Sequence, residues 1–139
     1  MERGFSLIEM LLGVSMIASV VAIALPSLAE WIPRHAVRRE ARAVQLVVER
    51  AYTLAVVRSV PVSVQFLPSQ IIATSATTAP LFSHPLPASI TARIKGNQDS
   101  SLVLYPSHTA SPATIEVLGP SYRCSVIVSL RGRTRLECA

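Results

Sequence analysis

Hydrophobic and polar positions divide the chain into stretches of different period. Residues 5–25 are apolar apart from small residues and one carboxylate, Glu9. As a helix they would reach about 30 Å, the thickness of a bilayer core. Pro26 and Pro33 interrupt the helical pattern, because proline removes a backbone bond and clashes with the preceding turn. From 34 to 58 the pattern resumes: Val37, Val44, Val48, Ala51 and Ala55 recur at helical spacing, with Arg38, Arg42, Glu49 and Arg58 largely off that stripe. The spacing predicts an amphipathic helix whose apolar side covers a sheet. After Pro61 the period becomes two. Val62, Val64 and Phe66 alternate with Ser63 and Gln65, and strand-like runs follow at 71–74, 89–94, 101–105 and 114–118, punctuated by prolines. The expected fold class is α+β: one long N-terminal, membrane-spanning helix packed on antiparallel sheet.

The final segment, 122–138, reads as a hairpin. A three-residue loop Leu130-Arg131-Gly132 puts glycine at the left-handed position such loops favour. Counting outward, Val128 faces Thr134, Val126 faces Leu136, and Cys124 faces Cys138. Opposed residues have Cα atoms about 4.5 to 5.5 Å apart, within disulfide range. The spacing is wrong for a Cys-x-x-Cys redox or zinc motif. One disulfide is the simpler reading for an exported chain, and two buried thiols are the alternative. The inward face would carry Cys124, Val126, Val128, Thr134, Leu136 and Cys138; Arg123, Ser125, Ile127, Ser129, Arg133 and Arg135 would point out, with Arg131 at the tip.

Composition changes the picture at two points. Half of the 139 residues are hydrophobic, and much of the excess sits in the N-terminal run. A secretory signal peptide or a plain signal anchor would account for the run alone, but neither accounts for Glu9. A carboxylate inside an apolar span costs several kcal/mol in lipid unless paired. The span holds no cation, whereas a free amino group at Phe5, made by a cut after Gly4, would supply one on a neighbouring subunit. The second point is charge: the net charge is +5 and aromatics are 5% of the chain. That balance suits an anionic partner and disfavours a base-stacking platform.

At these residues the chain resembles a known family. Gly4-Phe5-Ser6-Leu7-Ile8-Glu9 is similar to the prepilin peptidase site of type IV pilins and type II secretion pseudopilins. The resemblance implies cleavage between Gly4 and Phe5, N-methylation of Phe5, and a filament-assembly role for Glu9. It also implies the pilin fold. The basic residues Arg34, Arg38, Arg39 and Arg42 follow the span while Arg3 alone precedes it, so charge by itself favours the opposite orientation. The motif decides for a cytoplasmic leader.

The stretch from Glu49-Arg50-Ala51-Tyr52 to Pro61-Val62, with the closing hairpin, resembles the GspH/FimT family of minor pilins; 68–118 carries no diagnostic feature. In the FimT branch a Gly-Arg-x-Arg motif is implicated in DNA binding during natural transformation, and Gly132-Arg133-Thr134-Arg135 fits it. Arg131, Arg123, Arg93 and Lys95 are the neighbouring cations that would add to the contact. The contact would be with double-stranded DNA, without sequence preference, because phosphate contacts carry no base information. The alternative is a GspH-like pseudopilin of a type II secretion system with a packing role only.

The expected organisation is a leader at 1–4, a transmembrane and assembly helix at 5–28, a periplasmic helix half at 29–60 and a β-rich domain at 61–139. Other pilins or pseudopilins, a prepilin peptidase, DNA and inner-membrane lipid are the expected partners. The chain would cross the inner membrane once, with its C-terminal domain in the periplasm, and then enter a filament. His35, His84 and His108 are dispersed and lack metal-ligand spacing, and no catalytic constellation is apparent. No enzyme activity, cofactor or metal is expected.

Overall fold

The computed structural model describes residues 6–75, 80–96 and 100–138, apart from the side chains of 25–30. Gly4 and Phe5, the expected cleavage site, lie outside the described residues. The chain forms two compact units, Met1–Ile32 and Pro33–Ala139.

One helix, α1 (Leu7–Arg58), contributes to both units. It opens where the Ser6 carbonyl accepts the Glu9 and Met10 N–H groups at 3.0 and 3.2 Å. Glu9 falls in the first turn, where the helix dipole favours a negative charge. Leu7–Ala24 is long and apolar enough to cross a membrane, and all of its side chains are exposed. Water does not tolerate so large a continuous apolar surface, so lipid or neighbouring helices must cover it. Its hydroxyls are turned onto their own backbone: Ser15 donates to the Leu12 carbonyl at 2.9 Å and Ser19 to the Ser15 carbonyl at 2.8 Å. This satisfies polar groups that lipid could not.

The expected interruptions at Pro26 and Pro33 do not end the helix, which runs through both. Each proline removes one ladder bond, and in so long a helix the cooperative ladder on either side persists. The helix ends in a Schellman motif. Ser59 takes a left-handed φ of 53°, its N–H donates to the Val56 carbonyl, and the Val60 N–H donates to Ala55. Pro61 then prevents continuation.

The strands of the second unit are β1 (Val62–Phe66), β2 (Gln70–Ser75), β3 (Pro80–Pro85), β4 (Thr91–Ile94), β5 (Ser101–Tyr105), β6 (Thr109–Ala110), β7 (Ala113–Leu118), β8 (Arg123–Val128) and β9 (Thr134–Cys138). They form two antiparallel sheets, in the orders β3-β2-β1-β5-β6 and β4-β7-β8-β9. β3 and β6 are not among the strands that the sequence pattern predicts. The helix stripe Val37, Ala41, Val44, Val48, Ala51 and Ala55 is fully buried. It shares one core with Val62, Val64, Ile71, Leu102 and Leu104 of the first sheet and Ile115, Val117, Val126 and Val128 of the second. The α+β architecture is therefore as expected, with the sheet split in two.

A polar contact is set into the helix flank. Glu40 is buried, and its Oε2 lies 3.4 Å from His84 Nε2 on β3, while Arg39 approaches Oε1 at 3.8 Å. His84 thus ties a sheet edge to the helix.

Candidate functional site

The hairpin of β8 and β9 has the register the cysteines predict. Cys124 is opposite Cys138, Val126 opposite Leu136, and Val128 opposite Thr134. Cys124 and Cys138 are disulfide-bonded, with Cα atoms 4.1 Å apart. Cys124, Val126 and Val128 are buried, whereas Arg123, Arg131, Arg133 and Arg135 are exposed. In the turn, the Gly132 N–H donates to the Ser129 carbonyl and the Ser129 N–H to the Arg133 carbonyl, both at 2.9 Å. Ser129 Oγ accepts the Arg133 N–H at 3.1 Å.

Four features hold this hairpin, and three of them are not visible in the sequence pattern. The first is the disulfide. The second is the helix: the Thr134 hydroxyl donates to Glu49 Oε1, and Gln45 Nε2 donates to the same oxygen at 3.0 Å and to Thr134 Oγ1 at 3.1 Å. The third is β6, whose Ala110 N–H donates to the Leu130 carbonyl at 2.9 Å, joining the tip to the other sheet. The fourth is Tyr52. Its ring lies so close to Gly132 that any Cβ there would overlap it, and its hydroxyl lies 3.4 Å from His108 Nδ1.

Gly132 is thus required twice, for its φ of 72° and for the space it leaves the ring. Gly132→Ala should lower stability by about 2 kcal/mol, combining the left-handed backbone with overpacking. Gly132→Asn, which tolerates that backbone, should retain the ring overlap and recover part of the loss. Adding Tyr52→Ala to Gly132→Ala should relieve the overlap alone. Thermal unfolding reads all three; unfolding midpoints equal to wild type would remove Tyr52 and the backbone from the account of the turn.

The cations do not form one even patch. Arg131 and Arg133 lie in the turn, and Arg135 is the second residue of β9, two positions beyond Arg133. Arg135 Nη2 contacts Glu137 Oε1 at 3.0 Å, both side chains being well exposed. Arg93 sits opposite Glu116 across β4 and β7 and donates to its Oε2 through Nε and Nη2, each at 3.1 Å. Arg93 therefore offers an ion pair rather than a loose cation. Lys95 is exposed at the end of β4, with β7 and β8 between it and β9. Arg123 begins β8, at the opposite end of the hairpin from the tip. Of the expected set, the structure brings together only the three tip arginines and Gly132.

No family model and no curated protein matches this sequence. Solved structures do. The type IV minor pilin FimU of Pseudomonas aeruginosa superposes with a TM-score of 0.64 at 20% identity, over 77% of this chain and 92% of that one. The minor pseudopilin EpsH of the Vibrio cholerae type 2 secretion system superposes with a TM-score of 0.60 at 13% identity, over 73% and 95%. The chain has the pilin fold that these minor pilins and pseudopilins share.

Proposed function

We propose that this chain is a minor type IV pilin, anchored in the inner membrane by Leu7–Ala24 and carried into a filament, whose C-terminal hairpin contacts duplex DNA through phosphates. The observation that carries the DNA reading is the tip itself: two exposed arginines on a turn and a third at the start of β9, on a hairpin fixed by a disulfide, a tyrosine ring and two further hydrogen-bonded anchors. A turn whose backbone is already fixed loses little loop freedom on meeting a polyanion. Prepilin peptidase would cut after Gly4 and leave an N-methylated Phe5 as the first residue of the filament-borne chain.

The test uses the full-length protein in a non-ionic detergent and unrelated duplexes. All should bind alike, and binding should weaken steeply with salt. Arg133→Gln with Arg135→Gln should lower affinity for every duplex. The slope of log K against log salt should fall by about 0.9 for each arginine that had been meeting a phosphate. Arg38→Gln with Arg42→Gln, on the exposed side of α1, removes the same charge elsewhere and should change binding much less. Equal effects of the two pairs would show general electrostatics rather than a site. An unchanged affinity and slope in the hairpin variant would make the arginines a solvated turn.

The second reading is a pseudopilin of a type II secretion system with a packing role only. The Arg135–Glu137 pair favours it, because one nitrogen of that arginine already meets a carboxylate within the chain.

A further inference from the structure

The outer face of the second sheet is ordered in rows by its register. Arg93, Glu116, Ser125 and Glu137 stand opposite one another across β4, β7, β8 and β9. The next row towards the tip holds Thr114, Ile127 and Arg135, and the row at the far end holds Thr91, Leu118 and Arg123. Among the described residues, both carboxylates of this face thus lie in one belt between Arg123 and the arginine tip. Glu116 is largely covered, with a side-chain exposure of 17%, and is engaged by Arg93. Glu137 is 49% exposed and lies against Arg135, itself 77% exposed.

We infer that Glu137 is a negative determinant of the DNA contact: it meets one nitrogen of Arg135, and a phosphate on that guanidinium must share it with the carboxylate or displace it. This rests on the DNA reading above. Glu137 is two residues from Arg135 on one strand, about 7 Å away and within a Debye length of about 8–10 Å. A phosphate at Arg135 therefore meets the carboxylate whether or not the ion pair opens. The belt confines the contact to the tip and separates it from Arg123. Each subunit then binds weakly, and useful affinity comes from several tips engaging one duplex. Weak single contacts also let DNA leave, which one tight site would hinder.

Glu137→Gln in the full-length protein tests this, titrated with a fluorescent mixed-sequence duplex in non-ionic detergent at several salt concentrations. Affinity should rise about three- to five-fold at low salt, the range of an exposed ion pair, and the gain should shrink as salt rises. In an Arg135→Gln background the gain should disappear. Glu137→Gln binding like wild type, while the double arginine variant still loses affinity, would overturn this inference and leave the DNA reading standing. An equal gain in the Arg135→Gln background would overturn the pairing and leave only bare repulsion. Binding by neither wild type nor Glu137→Gln would overturn both readings.

Discussion

Glu9→Ala should leave the chain in the membrane and out of the filament, with the second unit folded and its disulfide intact. Two effects act in the same direction. For a lone subunit in lipid, alanine removes a carboxylate whose cost reaches about 2.5–3.5 kcal/mol at the centre of a span and is smaller near its end, where Glu9 sits. The offset from the first-turn position near the helix N-terminus is smaller, about 0.3–1 kcal/mol. The membrane-resident state is therefore relieved. If Glu9 pairs with a neighbour's amino group, as proposed here, alanine would also leave that cation unpaired in the apolar core of the filament. Together the partition between membrane and filament should shift by about ten-fold or more, since 1.4 kcal/mol is about a factor of ten. Glu9→Gln, which is neutral yet polar, should fall between the two. The measurement is the fraction of protein in sheared filaments against membranes, with mass spectrometry reading whether the chain begins at a methylated Phe5. Wild-type incorporation of Glu9→Ala would show that the carboxylate does not set assembly.

The second large effect concerns the disulfide. Reducing it, or replacing Cys124 and Cys138 by alanine, should cost about 3 kcal/mol on the chain-entropy account, given a sequence separation of 14. For a domain near 100 residues, each kcal/mol moves the unfolding midpoint by about 4–8 °C, so the loss is of order 12–24 °C. Because the bridge joins the open ends of β8 and β9 while Tyr52, Thr134 and Ala110 grip the turn, the hairpin should fray from Cys138 inward. Amide exchange should then quicken at Glu137 and Leu136 before it does at Arg133. A midpoint unmoved by reduction would assign the hairpin's stability to the turn contacts alone.

The hairpin is legible in the sequence because independent constraints agree on it. Two cysteines, a glycine at a left-handed position and a period of two all demand one register, and a slip by one residue would violate each of them. Elsewhere single signals compete. β3 is hidden because prolines at 80 and 85 read as punctuation. They stand at its first and last positions, on a sheet edge, where proline sacrifices no ladder bond that a neighbour needs. β6 has two residues, too few for any period, yet it carries the amide that holds the hairpin tip. The helix prolines mislead in the other direction, reading as breaks in a helix that continues through them.

The candidate site divides similarly. Exposure of Arg133 and Arg135 follows from alternation, and that of Arg131 from its place in the loop. The engagement of Arg93 by Glu116 needs the order of the strands, which alternation does not contain. The Arg135–Glu137 pair is available from spacing, since both sit on one face of one strand, but a count of cations passes over it. Glu49 and Tyr52 lie inside the stretch that carries the family resemblance. The structure supplies their physical reason, because both side chains hold the hairpin.

β9 ends its sheet, so one of its backbone edges faces away from every other strand of that sheet. An open edge is a template for a strand of another molecule, and charged side chains are a usual protection against such capture. Arg133, Arg135 and Glu137 stand along or beside this edge. Neutralising the arginines therefore also lowers the barrier to edge-to-edge association between subunits. A variant that fails to take up DNA in cells must be shown to remain unaggregated before its phenotype is assigned to weakened phosphate binding.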